Sequence, residues 1–224
     1  MIPIRARRSA LGLLCVPLCV ACTILPAPEP VDIYLLPAAV IAPNTESSTP
    51  RAWSLRILRP EASGQLVAQR ILVVPEPNRM SVYKGASWHE PTPLLLRNRL
   101  FDAFRTDARV SALSTDDMRT YADYELASDL SAFHSEYRPD GKVPEAVIRL
   151  DIRLIDTSSR RIVASRVFEV RQAAAEREIP SVVAAFGAAA DRLAAELVDW
   201  VAARADATWR ETAAEAIPVT PLQP

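Results

Sequence analysis

Three thiols lie close together near the amino terminus, Cys15, Cys19 and Cys22, and no cysteine follows them. They sit in an apolar stretch, Leu11 to Cys22, behind a basic lead-in carrying Arg5, Arg7 and Arg8. Charge followed by about ten apolar residues is the pattern of a secretory signal, too short to cross a bilayer as a stable helix. The chemistry sits at its end, where Val20-Ala21 place small or modest side chains before Cys22. Bacterial lipoprotein signals end this way. The thiol takes a diacylglyceryl group, the peptide bond between Ala21 and Cys22 is cut, and the new amino terminus is N-acylated, with palmitate-type chains. Cys15 and Cys19 each follow a leucine, whose bulk suits a cleavage pocket poorly. The alternative is a plain signal peptide, with Cys22 a free thiol or part of the discarded segment.

Other reactive residue types are sparse. His89 and His134 are the only histidines, with no later cysteine to join them in a metal site, and each reads as a surface or strand residue. Ser81-Val82-Tyr83-Lys84 matches the Ser-x-x-Lys pattern of penicillin-binding enzymes, but it lies in a strand-like segment and no Lys-Thr-Gly follows, so it reads as chance. Gly64, Gly85, Gly141 and Gly187 are far apart, which excludes a dinucleotide fingerprint, a P-loop and a nucleophile elbow. Nothing in the spacing favours a Ser-His-Asp set. Tyr83 and Trp88 flank a turn and read either as core filling or as a contact surface, since aromatic anchors dominate interfaces.

Processing at Ala21 would leave 203 of the 224 residues, with 23 basic and 27 acidic side chains, a net charge of −4. That balance points to neither nucleic acid nor an anionic membrane surface as partner. A chain of this size buries roughly 70 % of its unfolded surface, so an ordinary core holds it without disulfides. No apolar run after Cys22 reaches the ~18 residues of a membrane span, which implies an anchored protein.

The elements that would position these residues follow from periodicity. Residues 22–31 are the modified cysteine and a proline-rich tether. Val31–Leu36 is a short strand, 37–50 a loop, 53–58 a half-buried strand and Arg70–Val74 a central one. Residues 80–84 and 86–89 form two short strands about Gly85. Thr92 caps a helix with Pro93 in its first turn; Leu96, Leu100, Ala103 and Phe104 share its inner face, and Arg97 and Arg99 lie elsewhere. In Tyr124–His134, Tyr124, Leu126, Leu130 and Ala132 point one way, and Phe133 breaks the alternation, as at a bulge. Residues 146–170 form a long hairpin with Arg149, Asp151 and Arg153 on a wet or partner-facing side. The last helix runs from Pro180 to about Arg204 on a stripe including Val182, Phe186, Leu193, Leu197 and Trp200. The expected architecture is α+β: two layers, a mostly antiparallel sheet with two main helices packed on one face, spanning 32–206, then a disordered tail over 207–224.

Taken in order, Val20-Ala21-Cys22, Tyr34-Leu35, Ile71-Leu72-Val73-Val74-Pro75, Met80-Ser81-Val82-Tyr83, Trp88, Tyr124-Glu125-Leu126, the hairpin and Val198-Asp199-Trp200-Val201 resemble the ABC-type transport auxiliary lipoproteins. Cys19 and His89-Glu90-Pro91 depart from that pattern. The resemblance implies a non-enzymatic periplasmic subunit without cofactor beyond the diacylglycerol and N-acyl chain on Cys22. Its partners would be an MCE-domain (mammalian-cell-entry) protein, an ABC permease and ATPase, and further copies of itself in a homo-oligomer. Thr23 after the cysteine suggests the outer membrane by the family's sorting habit. An envelope-assembly lipoprotein without lipid cargo and a periplasmic enzyme with an unrecognised site are the other classes. Intact mass spectrometry of the processed protein is expected to show a chain starting at Cys22 with added acyl mass. A product starting elsewhere, or without hydrocarbon mass, would refute the anchor.

Overall fold

The structure, a computed structural model, describes residues 30–38, 51–110, 112–138 and 141–215. Ala21, Cys22, the tether, most of the 37–50 loop and the chain after 215 therefore lie outside the described residues. All elements fall in a unit that begins at Val31. They are β1 (Asp32–Tyr34), β2 (Leu55–Ile57), a 3-10 turn (Gly64–Val67), β3 (Arg70–Glu76), β4 (Arg79–Trp88), α1 (Thr92–Asp107), β5 (Leu113–Thr115), β6 (Tyr124–Glu136), β7 (Glu145–Asp156), β8 (Arg161–Ala173) and α2 (Ile179–Glu215). The eight strands form one sheet with both helices on one face, the α+β arrangement that the periodicity predicts.

The long pairings, β6 with β7, β7 with β8 and β3 with β4, are antiparallel. Four short parallel pairings join them: β1 to β4, β2 to β5, and both β2 and β3 to β6. β6 is long enough to serve two partners on the side away from β7. Its first residues pair with β2 and its last with β3.

Alternation sets the buried face. Ile148, Leu150, Ile152 and Leu154 of β7 are buried while Arg149 is exposed. On β6 the register slips between Leu130 and Ala132, leaving Ser131 bulged and exposed. The slip turns Phe133 onto the helix side, opposite Ile148, as its break in alternation predicts. It also pairs Ala132 with Arg149, on the opposite side from Leu130, which corrects the expectation that these two share a face. Phe133 then stacks on Phe186 of α2 at 4.8 Å, and Trp88 of β4 meets both rings edge-on, at 5.9 and 5.4 Å. Such pairs add about 0.5–1.5 kcal/mol each beyond buried area.

Several boundaries differ from the expected ones for physical reasons. The two strands about Gly85 are one strand, β4; a large register shift there and a φ of 72° at Gly85 absorb the extra residues. Thr92 does not cap α1. Its hydroxyl donates to the Ala68 carbonyl, and Pro91 occupies the cap position. Arg97 and Arg99 are buried, each by aspartates from elsewhere in the fold. β5, only three residues long, carries too little pattern to be read from sequence. α2 continues past Arg204 to Glu215, so residues 207–215 are helical and not a disordered tail. Good helix formers extend it, Ala205 is fully buried, and the Asp206 carboxylate accepts from Trp53 Nε1 at 2.9 Å and pairs with Arg51 at 3.1 Å.

Tyr124 lies in the same corner, edge-on to Trp53 at 5.6 Å. Burial, with the charges of Asp156, Asp123 and Asp206, pushes its phenol up to about 12. The unfolded phenol ionises near its ordinary value of 10.0 and the folded one does not, so stability present below that value is lost as pH rises toward about 12. Thermal melting of the wild type is expected to fall more steeply between pH 10 and 12 than that of Tyr124→Phe. Parallel pH profiles would contradict this.

Candidate functional site

The open face of the sheet is divided. Over β6, β7 and β8 it carries a ladder of paired charges: Arg153 to Asp129 at 2.5 Å, Arg149 to Glu169 at 3.2 Å, Arg171 to Glu169 at 2.8 Å, and Arg171 to Glu136. Asp151 accepts from Ser131. Burial alone would raise the Glu136 carboxyl, but Arg171, with His134, holds it below the usual carboxylate range. The Arg149, Asp151 and Arg153 side is thus wet and internally neutralised, and such pairs contribute at most about 1 kcal/mol each.

Toward β1 the same face becomes apolar. Ser87 pairs with both Ile33 and Arg70, Val82 pairs with Leu72, and Val74 pairs with Glu136, so these residues share the ladder's face. Val31, Ile33, Leu35, Met80 and Val82 are all exposed, Ile33 and Leu35 by 70 % and 66 %. On the other side of β1, Tyr34 and Leu36 pack against the core.

Of the two readings open for Tyr83 and Trp88, core filling holds for Trp88. Trp88 is 1 % exposed and wedged between Phe133 and Phe186, because the shift at Gly85 turns it toward the helices. Its Nε1 has no hydrogen-bond partner among the described residues, so packing holds it there. Tyr83 is half-buried against the core and shares a 2.9 Å hydrogen bond with Ser135 Oγ; burial pushes its phenol up, with Ser135 opposing. Phe186 and Trp200 are core residues, as their stripe predicts. His89 is exposed beside Glu90, and His134 lies beside Glu136 on β6. Ser81 and Lys84 lie within β4, a strand and not the helix start that Ser-x-x-Lys chemistry needs. Among the described residues no three His, Cys, Asp or Glu side chains gather to hold a metal.

What positions β1 is a clamp that sequence reasoning missed. Arg99 of α1 pairs with Asp191 of α2 and donates to the backbone carbonyls of Leu36, at 3.0 Å, and Pro37. Gly187 lets the chain approach: a Cβ there would sit 2.7 Å from the Pro37 oxygen. The only signal available was a lone glycine in an alanine-rich helix face with an acid one turn on. Arg97 is held the same way by Asp116 and Asp117, at 2.7 and 2.5 Å; burial opposes its charge, and the two aspartates outweigh it and push its pKa up. Asp191→Ala leaves the Arg99 charge buried without its counter-ion and is expected to cost about 3 kcal/mol in denaturant unfolding. Gly187→Ala should speed amide exchange over residues 34–36. Unchanged exchange would show that the close approach does not hold the segment.

The model of a family described as "ABC-type transport auxiliary lipoprotein component" matches residues 34–198, from the end of β1 through most of α2. An uncharacterised protein of Bradyrhizobium diazoefficiens is 34 % identical over 148 residues, covering 66 % of this chain and 39 % of that protein. The chain thus spans about two fifths of that relative's length. The crystal structure of a Xanthomonas campestris protein is 30 % identical, covers 80 % of this chain and 99 % of its own, and superposes with a TM-score of 0.73. A second crystal structure, of an uncharacterised protein, shares the fold at 15 % identity, with 77 % and 99 % covered and a TM-score of 0.60. The chain belongs to the family of ABC-type transport auxiliary lipoprotein components.

Proposed function

We propose that this protein is a periplasmic lipoprotein, anchored through acylated Cys22, that serves as a non-enzymatic auxiliary subunit of an ABC transporter of the MCE type. The transporter would move phospholipids or other hydrophobic molecules between the inner and outer membranes. The observation that carries this reading is the family match over residues 34–198. Three features support it. The apolar stretch ending at Cys22 supplies an acceptor thiol where a leashed protein needs one. Among the described residues no helix is long and apolar enough to cross a membrane. The charges on the open sheet face are spent on one another, which suits a scaffold. Thr23 favours the outer membrane as the anchoring side. Two acyl-bearing groups on Cys22 would make the attachment stable, since one chain binds only marginally.

The test is purification of the natively expressed protein from envelopes in mild detergent, with the co-purifying chains identified by mass spectrometry. An ABC permease, its ATPase and an MCE-domain protein are expected. Assembly or secretion components in their place would replace the transport reading with the envelope-assembly one.

A further inference from the structure

We propose that the apolar strip of Val31, Ile33, Leu35, Met80 and Val82 is a bilayer-contact surface. The β1–β4 end of the open sheet face would lie against the headgroup–acyl boundary of the membrane that holds Cys22. The inference rests on the anchor reading above and goes beyond it, because a leash alone says nothing about which face meets lipid.

Single exposed apolar residues are ordinary, but Val31, Ile33 and Leu35 alternating along one edge, with Met80 and Val82 further down the neighbouring β4, are not. The rest of the same sheet face shows what a solvated surface looks like in this molecule: its charges are cross-paired from Glu136 to Arg153. Apart from β8, which carries Val167, the exposed large apolar side chains of this face lie on or beside β1 and on β4, while Leu72 of β3, opposite Val82, is buried. Arg70 and Arg79 stand exposed at its margin and Lys84 on β4 between its two parts, with Asp32 and the Arg79 partner Glu76 as nearby acids. An apolar band with basic side chains at its edge is the composition that settles at a lipid interface.

Chain length selects the occupant. Val31 follows Cys22 by nine residues, so even a fully extended segment spans at most about 30 Å. The strip is the part of the described domain at the root of that leash. The bilayer is therefore presented to it at high effective concentration, without a diffusional search. The strip is also fixed to the body of the domain, because Arg99 grips Leu36 and Pro37, and His89 N–H donates to the Tyr34 carbonyl at 3.0 Å. An insertion of β1 would orient the whole domain.

A second copy added as a further strand fits poorly. β1 is three residues long, with Pro30 before it and Pro37 after it, which leaves little ladder to extend.

The experiment uses the acylated full-length protein. Acylation consumes the Cys22 thiol, and Cys15 and Cys19 leave with the signal, so Ile33→Cys, Val82→Cys or Val167→Cys each supplies one labelling site. Val167 is exposed on β8 opposite Asp151, within the charged end. Each variant is labelled with a nitroxide and placed in phosphatidylethanolamine–phosphatidylglycerol vesicles. Collisions with oxygen and with a water-soluble nickel complex are then compared. At Ile33 and Val82 the oxygen-to-nickel ratio is expected to exceed that at Val167 several-fold. Equal ratios at all three sites, in protein that floats with the vesicles, would overturn this inference and leave the anchor standing. Labels at Ile33 and Val82 shielded from both reagents would overturn it in favour of a protein occupant. Protein that does not float with the vesicles at all would overturn the anchor and this inference together.

Discussion

The face-to-face contact between Phe133 and Phe186 is the joint on which the domain turns. It binds the central strand β6 to the long helix α2 and makes the pocket that Trp88 fills from β4. It exists only because one residue, Ser131, is dropped out of register. Strict alternation would have put Phe133 on the open face and Ala132 inside. A fully buried aromatic residue of this kind costs about 3–5 kcal/mol to remove, so a single slipped residue carries a large share of a marginal total.

Around that joint the molecule separates two jobs. One sheet face and both helices form a continuous core that needs no disulfide. The open face carries charge where β6, β7 and β8 cross it and apolar side chains where β1 and β4 do. The junction with the amino-terminal segment is secured by charge and by close backbone approach, through Arg99, Asp191 and Gly187. Force transmitted along the segment that enters at Val31 therefore reaches both helices through a buried ion pair as well as through three residues of β1. That suits a domain held by one end.

Much of this was legible in the sequence, because it depends on local pattern. The β7–β8 hairpin reads directly from alternation, the α2 stripe from three- and four-residue spacing, and the bulge from Phe133 appearing one place early. Other features rest on distant partners and leave no local trace. Arg97 and Arg99 look like a solvated helix face until aspartates from far along the chain bury them. Trp88 reads equally as core or as a surface anchor until the shift at Gly85 rotates it inward. The later turns of α2 lack a continuous apolar stripe and so read as tail, while Asp206 fastens them through Trp53 and Arg51. Of the candidate functional residues, Cys22 lies outside the described residues, and the exposed strip on β1 leaves no mark in the sequence, since Val31, Ile33 and Leu35 read simply as strand.

The parallel seating of β2 between β5 and β6 has a consequence for how the chain acquires its shape. Leu55 lies beside both Leu113 and Tyr124, so its neighbours are 58 and 69 positions downstream. A polypeptide that emerges amino terminus first must leave β2 unpaired until residues past 124 have appeared. The compact seed is then the β6–β7–β8 meander with α2, and β2 and β5 fasten afterwards against its finished edge. Late closure of this kind leaves the early segment open to handling by other factors during delivery to the envelope.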